Sequence, residues 1–204
     1  MSFTEEQQEI IKIIDSLLDS EHSGYGWGHF QGDVVPRVLV YYANRHLPNK
    51  WKIVGPNVYI EDVPTEFDLM VVDSDANPIT FTSAYPGERI RCVIEVKRRG
   101  VFGDIDTFKK KVKQIRDNFD KALYMLRFDK DKLGFVKEPR VNCKAAYITV
   151  SETVNPKREG SHNYGSITRD LLAPYPAFIL QDSRSTIIQQ GEWQRFIEYI
   201  TSDS

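Results

Sequence analysis

Two stretches decide the fold: Glu66-Phe67-Asp68-Leu69-Met70-Val71-Val72-Asp73 and Cys92-Val93-Ile94-Glu95-Val96-Lys97. Both are dense in β-branched and aliphatic residues, so both read as buried strands. Yet each carries charge, Asp68 in the first and Glu95 with Lys97 in the second. Burying a charge is costly unless something pairs with it or binds it. Charge inside apolar strands therefore marks a site. The bland alternative is an amphipathic strand with a solvated Asp68 and a surface Glu95–Lys97 pair, worth ~0–1 kcal/mol. Val93, Ile94 and Val96 argue against it, because they make the second strand apolar on both faces.

Residues two apart on a strand point the same way, about 7 Å apart. Glu95 and Lys97 thus share a face, and Asp68 sits opposite them if the two strands pair. Two carboxylates and a peptide carbonyl form a hard oxygen site suited to Mg²⁺. Water acidified by such an ion attacks a phosphodiester, and Lys97 is placed to orient that water or to offset charge on the phosphate oxygens.

Outward from this pair, helical spacing of Ile10, Ile13, Ile14, Leu17 and Leu18 predicts an acidic helix over 3–21, opened by a capping box of Thr4 and Gln7. Gly24 to Gly28 interrupt it, and Tyr25, Trp27, His29 and Phe30 read as an aromatic loop covering the core. A second helix is expected over 33–46, with Asp33 as its N-cap and Pro36 in its first turn. Residues 51–54 and 58–60 read as a hairpin around Gly55-Pro56-Asn57. A long helix over 106–128 follows the Glu95 strand, with Phe108, Val112, Ile115, Phe119, Ala122, Leu123 and Leu126 on its buried face. A strand over 141–150, a polar loop over 151–176 with a short helix at 166–172, a strand over 177–181 and an amphipathic helix over 192–200 complete the chain. The expected fold class is α/β: one domain over 1–204, with a mixed central sheet flanked by helices.

Pro64-Thr-Glu-Phe-Asp68, a gap, then Ile94-Glu95-Val96-Lys97 resembles the PD-(D/E)xK nuclease superfamily. The resemblance covers about residues 30–150 and implies the restriction-endonuclease-like fold, with an α-β-β-β-α-β core. Asp68 matches the first acid, Glu95 the second and Lys97 the lysine. The proline stands four residues before Asp68 rather than adjacent to it. The resemblance implies a metal-dependent nuclease acting on DNA, with Asp68, Glu95 and Lys97 catalytic. Asp68, Glu95 and the Val96 carbonyl would hold Mg²⁺, for which Mn²⁺ would substitute. The family often adds an acid from the preceding helix, for which Asp33 is the candidate beside its bland reading as a cap. Gln114 loosely resembles a glutamine of some exonuclease branches; an exposed helical glutamine is the better explanation. A restriction-type enzyme of this size would act as a homodimer.

Charge supports the nucleic-acid reading. Residues 97–121 hold nine bases against four acids, whereas residues 1–21 hold one base against six acids. Arg98, Arg99, Lys109, Lys110 and Lys113 are the candidate backbone contacts; a solvated helix face is the alternative. The net charge of −2 excludes bulk basicity as the binding device. The segment 157–164 is a candidate to reach a substrate groove. Histidines 22, 29, 46 and 162 lack metal-ligand spacing, so zinc is not expected. No apolar run approaches ~20 residues, so no membrane span is expected, and the N-terminus lacks a secretory core. Cys92 and Cys143 lie in apolar strands and read as core residues in a reducing compartment; the superfamily resemblance implies a prokaryotic cytoplasmic protein. Two rival functions remain: a non-catalytic binding module of the same fold, and an interaction protein whose acidic N-terminal helix docks on a partner.

Overall fold

The N-terminal helix α1 (Phe3–Leu18) opens on a capping box two residues earlier than expected. Ser2 Oγ accepts the Glu5 N–H at 3.3 Å, and the Ser2 amine donates to Glu5 Oε2 at 2.7 Å. Those bonds to Ser2 lower the proton affinity of the Glu5 carboxyl. Gln7, expected in that cap, is buried instead. Its amide donates to the carbonyls of Leu180 and Gln189, both at 2.8 Å, and its oxygen accepts the Trp193 N–H at 3.0 Å. The acidic helix is therefore docked on its own domain through Ile10, Ile14 and Gln7.

This computed structural model describes residues 1–18, 27–79, 82–100, 102–122, 124–129, 134–139, 143–152, 169, 172–181 and 188–202. Most of the expected loop over 151–176, including the segment 157–164 and most of the short helix at 166–172, lies outside the described residues. Helix α2 spans Trp27–Ala43, so Trp27, His29 and Phe30 open a helix rather than a loop; Tyr25 is not among the described residues. Asp33 falls inside this helix and cannot be its N-cap, and Pro36 lies in its interior, unable to donate to the residue 32 carbonyl. Asp33 faces Arg37 one turn on, at 3.9 Å, in an exposed ion pair.

A five-stranded sheet forms the centre. It consists of β1 (Trp51–Val54), β4 (Leu69–Asp73), β6 (Ile90–Gly100), β9 (Lys144–Glu152) and β10 (Ala177–Gln181), in that spatial order. The first two pairings are antiparallel and the last two parallel, so the sheet is mixed. A second sheet holds β2 (Val58–Ile60) between β3 (Val63–Phe67) and β5 (Ala84–Tyr85). Segments 51–54 and 58–60 are strands as expected but lie in different sheets, so they are not a hairpin. Gly55, at φ +144°, turns the chain from one sheet to the other.

Helix α3 (Phe102–Ala122) is shorter than expected. Residues 124–129 form β7 (Tyr124–Asp129), antiparallel to β8 (Gly134–Pro139), so Leu126 lies on a strand; Leu123 is outside the described residues. The partner strand β8 outweighs the helical period that continues past residue 122. Helix α4 (Glu192–Thr201) closes the described chain.

The sheet is covered on both sides, which is why β4 is buried at Leu69, Met70, Val71 and Val72 alike. Helices α1, α2 and α4 pack through Ile14, Leu39, Trp193 and Phe196 onto Leu69, Val71, Ile94 and Phe178. Helix α3 packs through Ile105, Phe108, Val112 and Ile115 onto the opposite side, with Val93, Tyr147 and the small sheet's Phe67. Cys92 and Cys143 are unbridged, and burial pushes the Cys92 thiol well up.

Candidate active site

The segment expected as one strand is two, broken at Asp68. Phe67 pairs with Val58 in the small sheet, whereas Leu69 pairs with Ile94 in the large one. Asp68 is the hinge between the sheets, at the point where β4 begins its antiparallel run along β6. Continued by one residue, that register sets Asp68 opposite Glu95.

Gly55 holds the hinge from below. A Cβ there would lie 2.4 Å from the Asp68 carbonyl oxygen and 2.6 Å from Leu69 Cδ2. A side chain cannot fit, and its φ of +144° is one L-residues rarely adopt. The glycine lets β1 press against the backbone that carries the acid.

Alternation along β6 turns Cys92, Ile94 and Val96 toward α1, α2 and α4, and turns Val93, Glu95 and Lys97 toward α3. Glu95 is 2% exposed. Both its oxygens are engaged: Oε1 by Lys97 Nζ at 2.6 Å, and Oε2 by Lys111 Nζ at 2.7 Å. Lys97 Nζ also lies 3.6 Å from Asp68 Oδ2. That oxygen accepts the Val96 N–H at 2.7 Å. In an extended strand the N–H and C=O of one residue face the same edge, so the Val96 carbonyl opens to the Asp68 side as well. Asp68, Glu95, Lys97 and the Val96 peptide are thus brought to one point.

Charge at this point is uneven. Burial first, and the Glu95 charge second, raise the proton affinity of the Asp68 carboxyl; Lys97, the Val96 N–H and Lys111 offset part of the rise. Burial pulls Lys97 downward, but the Asp68 and Glu95 carboxylates outweigh it, and Asp104 adds to them, so its net shift is upward. Lys97 is therefore a cation at neutral pH. In that form it can stabilise growing negative charge.

The charge balance of residues 97–121 includes Lys111 among its bases and Asp104 among its acids but gives neither a place at the site. The helical period holds the missing signal: Asp104, Phe108, Lys111 and Ile115 follow one another by three or four residues, on the stripe that faces the sheet. Lys110 and Lys113 are exposed and Lys109 half-buried, so they stand where a polyanion can reach them. Arg98 is half-buried, with its carbonyl accepting from Ser151 Oγ at 3.3 Å; the side chain of Arg99 is outside the described residues. Gln114 is exposed, as expected, and its side-chain oxygen also accepts from the buried Thr65 hydroxyl, pinning α3 to β3.

The donor set fits a hard divalent ion: two carboxylates already near one shared cation, the Lys97 ammonium, with a peptide carbonyl on the same side. The Glu95 charge that helps to raise the Asp68 proton affinity is also what a dication relieves.

No protein-family model matches the chain, and no curated protein matches it in sequence. Solved structures do match in fold. NucC of P. aeruginosa ATCC27853, in its cAAA-bound form, aligns with a TM-score of 0.64 at 13% identity, over 97% of this chain and 88% of its own. NucC of E. coli MS115-1, also cAAA-bound, aligns at 0.55 and 16% identity, over 76% of this chain and 63% of its own. NucC is a PD-(D/E)xK-type nuclease. The mixed sheet, its flanking helices and this likeness together show that the chain has the restriction-endonuclease-like fold of that nuclease.

Proposed function

We propose that this protein is a metal-dependent nuclease that hydrolyses phosphodiester bonds in DNA. One observation carries the reading: Lys97 Nζ stands between the Asp68 and Glu95 carboxylates at the edge where the Val96 peptide opens. Asp68, Glu95 and the Val96 carbonyl are the residues to hold Mg²⁺, or Mn²⁺ in its place. When bound, the ion supplies Lewis acidity to the phosphate and a more acidic water. Lys97, kept cationic by its two acids, stabilises charge on the phosphate oxygens. Lys109, Lys110 and Lys113, with Arg98 and Arg99, contact the backbone without reading sequence. Cutting both strands calls for two such sites, hence a homodimer, which light scattering detects.

The test is cleavage of supercoiled plasmid, single-stranded DNA and RNA in Mg²⁺, Mn²⁺ or EDTA, each with and without cAAA, the ligand bound by the NucC neighbours. Cutting of DNA that needs the metal, and that Asp68→Ala and Lys97→Ala abolish while circular dichroism stays unchanged, supports the reading. Cleavage that persists in both variants overturns it. The rival is a binding module without catalysis, favoured by the mutual neutralisation of two carboxylates and two ammoniums. Salt-sensitive DNA retention without metal uptake or product would select that rival.

A further inference from the structure

Glu95 is a buried carboxylate held from two directions. Lys97 takes one oxygen from the same strand, and Lys111 takes the other from α3. The hydrolysis described above gives Lys111 no task. Packing alone does not call for a lysine there, since Phe67, Phe108, Val112 and Ile115 surround this stretch of α3 with apolar surface. Its ammonium lies 5.8 Å from the Phe67 ring centroid, and its side chain keeps 23% of its surface in water.

We infer that Lys111 is a tethered counter-ion that makes divalent-metal loading conditional on nucleic acid. It is a positioning residue, acting through Glu95, and the inference rests on the nuclease reading. Asp68, Glu95, Lys97 and Lys111 sum to no net charge. A dication added to that set leaves an excess of two positive charges, or one with Asp104 beside Lys97 included, in a poorly solvated site, which opposes binding. Relief comes when one ammonium withdraws. Lys97 is held by Asp68 and Glu95, with Asp104 adding to the hold. Both ammoniums reach water to a similar extent, 27% for Lys97 and 23% for Lys111, but Lys111 is tied through Glu95 Oε2 where Lys97 is held by two carboxylates, so Lys111 is the one to leave. A phosphodiester supplies the negative charge that rebalances the site and gives the released ammonium a new partner.

The experiment is a Mn²⁺ titration of the full chain at pH 8, by calorimetry and by electron paramagnetic resonance, with and without a phosphorothioate duplex. Lys111→Met removes the charge and keeps the stem; Lys111→Gln is the second variant, used if the first fails to fold; Lys111→Arg restores the charge. A unit charge a few ångströms from the ion, at an effective dielectric constant near 20, corresponds to about tenfold or more in affinity. Without DNA, Lys111→Met is expected to bind Mn²⁺ at least ~10-fold more tightly than the parent, and Lys111→Arg within about twofold of it. The duplex should tighten Mn²⁺ binding to the parent and change Lys111→Met little. Unchanged or weaker Mn²⁺ binding in Lys111→Met, in a parent that binds Mn²⁺ and cuts DNA, overturns this inference and leaves the nuclease reading standing. A parent that takes up no Mn²⁺, with or without the duplex, removes the metal assignment and this inference together.

Discussion

The Asp68 carboxylate accepts the Val96 N–H at 2.7 Å and so closes the β4–β6 ladder with a side chain. In a straight strand, Phe67 would stand opposite Val96 and supply a carbonyl. Phe67 has left for the small sheet, where it pairs with Val58. The acid therefore satisfies a backbone donor that the departing strand abandoned. Its position is set by the sheet-to-sheet crossing and not by rotamer choice alone.

Asp68 is expected to weaken the metal-free fold. Burial and Glu95 raise its proton affinity, so the folded chain holds that proton more tightly than the unfolded chain does. The stability this supplies is complete below the ordinary value of 3.8 and is lost as pH rises through the folded value. Asp68→Asn keeps an acceptor for Val96 and discards the charge. In EDTA at pH 7 its melting temperature should rise by about 2–4 °C, equivalent to ~1 kcal/mol in a domain of this size. The gain should shrink toward pH 4. A variant that melts lower than the parent at pH 7 contradicts the assignment.

Gly55→Ala tests the hinge. The new methyl group would meet the Asp68 carbonyl and Leu69, on a backbone conformation that alanine resists. A loss of roughly 2 kcal/mol or more is expected in urea unfolding, together with a fall in cleavage because Asp68 moves. An alanine variant as stable and as active as the parent would show that the close approach has no consequence.

Glu95→Ala should be the costliest change in the site. It leaves the Lys97 and Lys111 ammoniums without their shared carboxylate, and breaking a buried pair from one side costs about 3–5 kcal/mol. Denaturant titration measures it, and a loss below ~1 kcal/mol would mean that the pair is solvated rather than buried.

Glu6 is the counterpart on the other face of the sheet. Its buried carboxylate accepts Trp193 Nε1 at 2.6 Å and lies 2.6 Å from His46 Nε2, joining α1, α4 and the turn that follows α2. Glu6→Ala strands the buried indole N–H, so a cost of roughly 2–3 kcal/mol is expected with the metal site untouched. Thermal melting alongside Mn²⁺ binding separates the two. Weakened Mn²⁺ affinity in this variant would refute the independence of the two faces.

The acid-x-lysine triplet, the strands around it and the helix after it were legible because they depend on local pattern. Alternation along β6 decides that Glu95 and Lys97 share a face, whichever strand lies beside them. The helical period that buries Phe108, Val112 and Ile115 is local in the same sense. The end of α3 was not legible, because residues 124–129 become a strand only in the presence of β8. Nor was the start of α1, where the sequence reads Thr4-x-x-Gln7 as the cap but Gln7 is buried against β10 and α4 and Ser2-x-x-Glu5 caps the helix instead.

What the amino-acid order determined by itself is the set of chemical groups and their alternation along each strand: two acids, a lysine and a peptide, inside apolar segments. What only the tertiary structure decided is where those groups meet. The break at Asp68 and the inward turn of Lys111 each depend on contacts between different elements of the fold. Local propensity carries no information about such contacts. They follow from which sheet edge is open and which buried charge has no other partner.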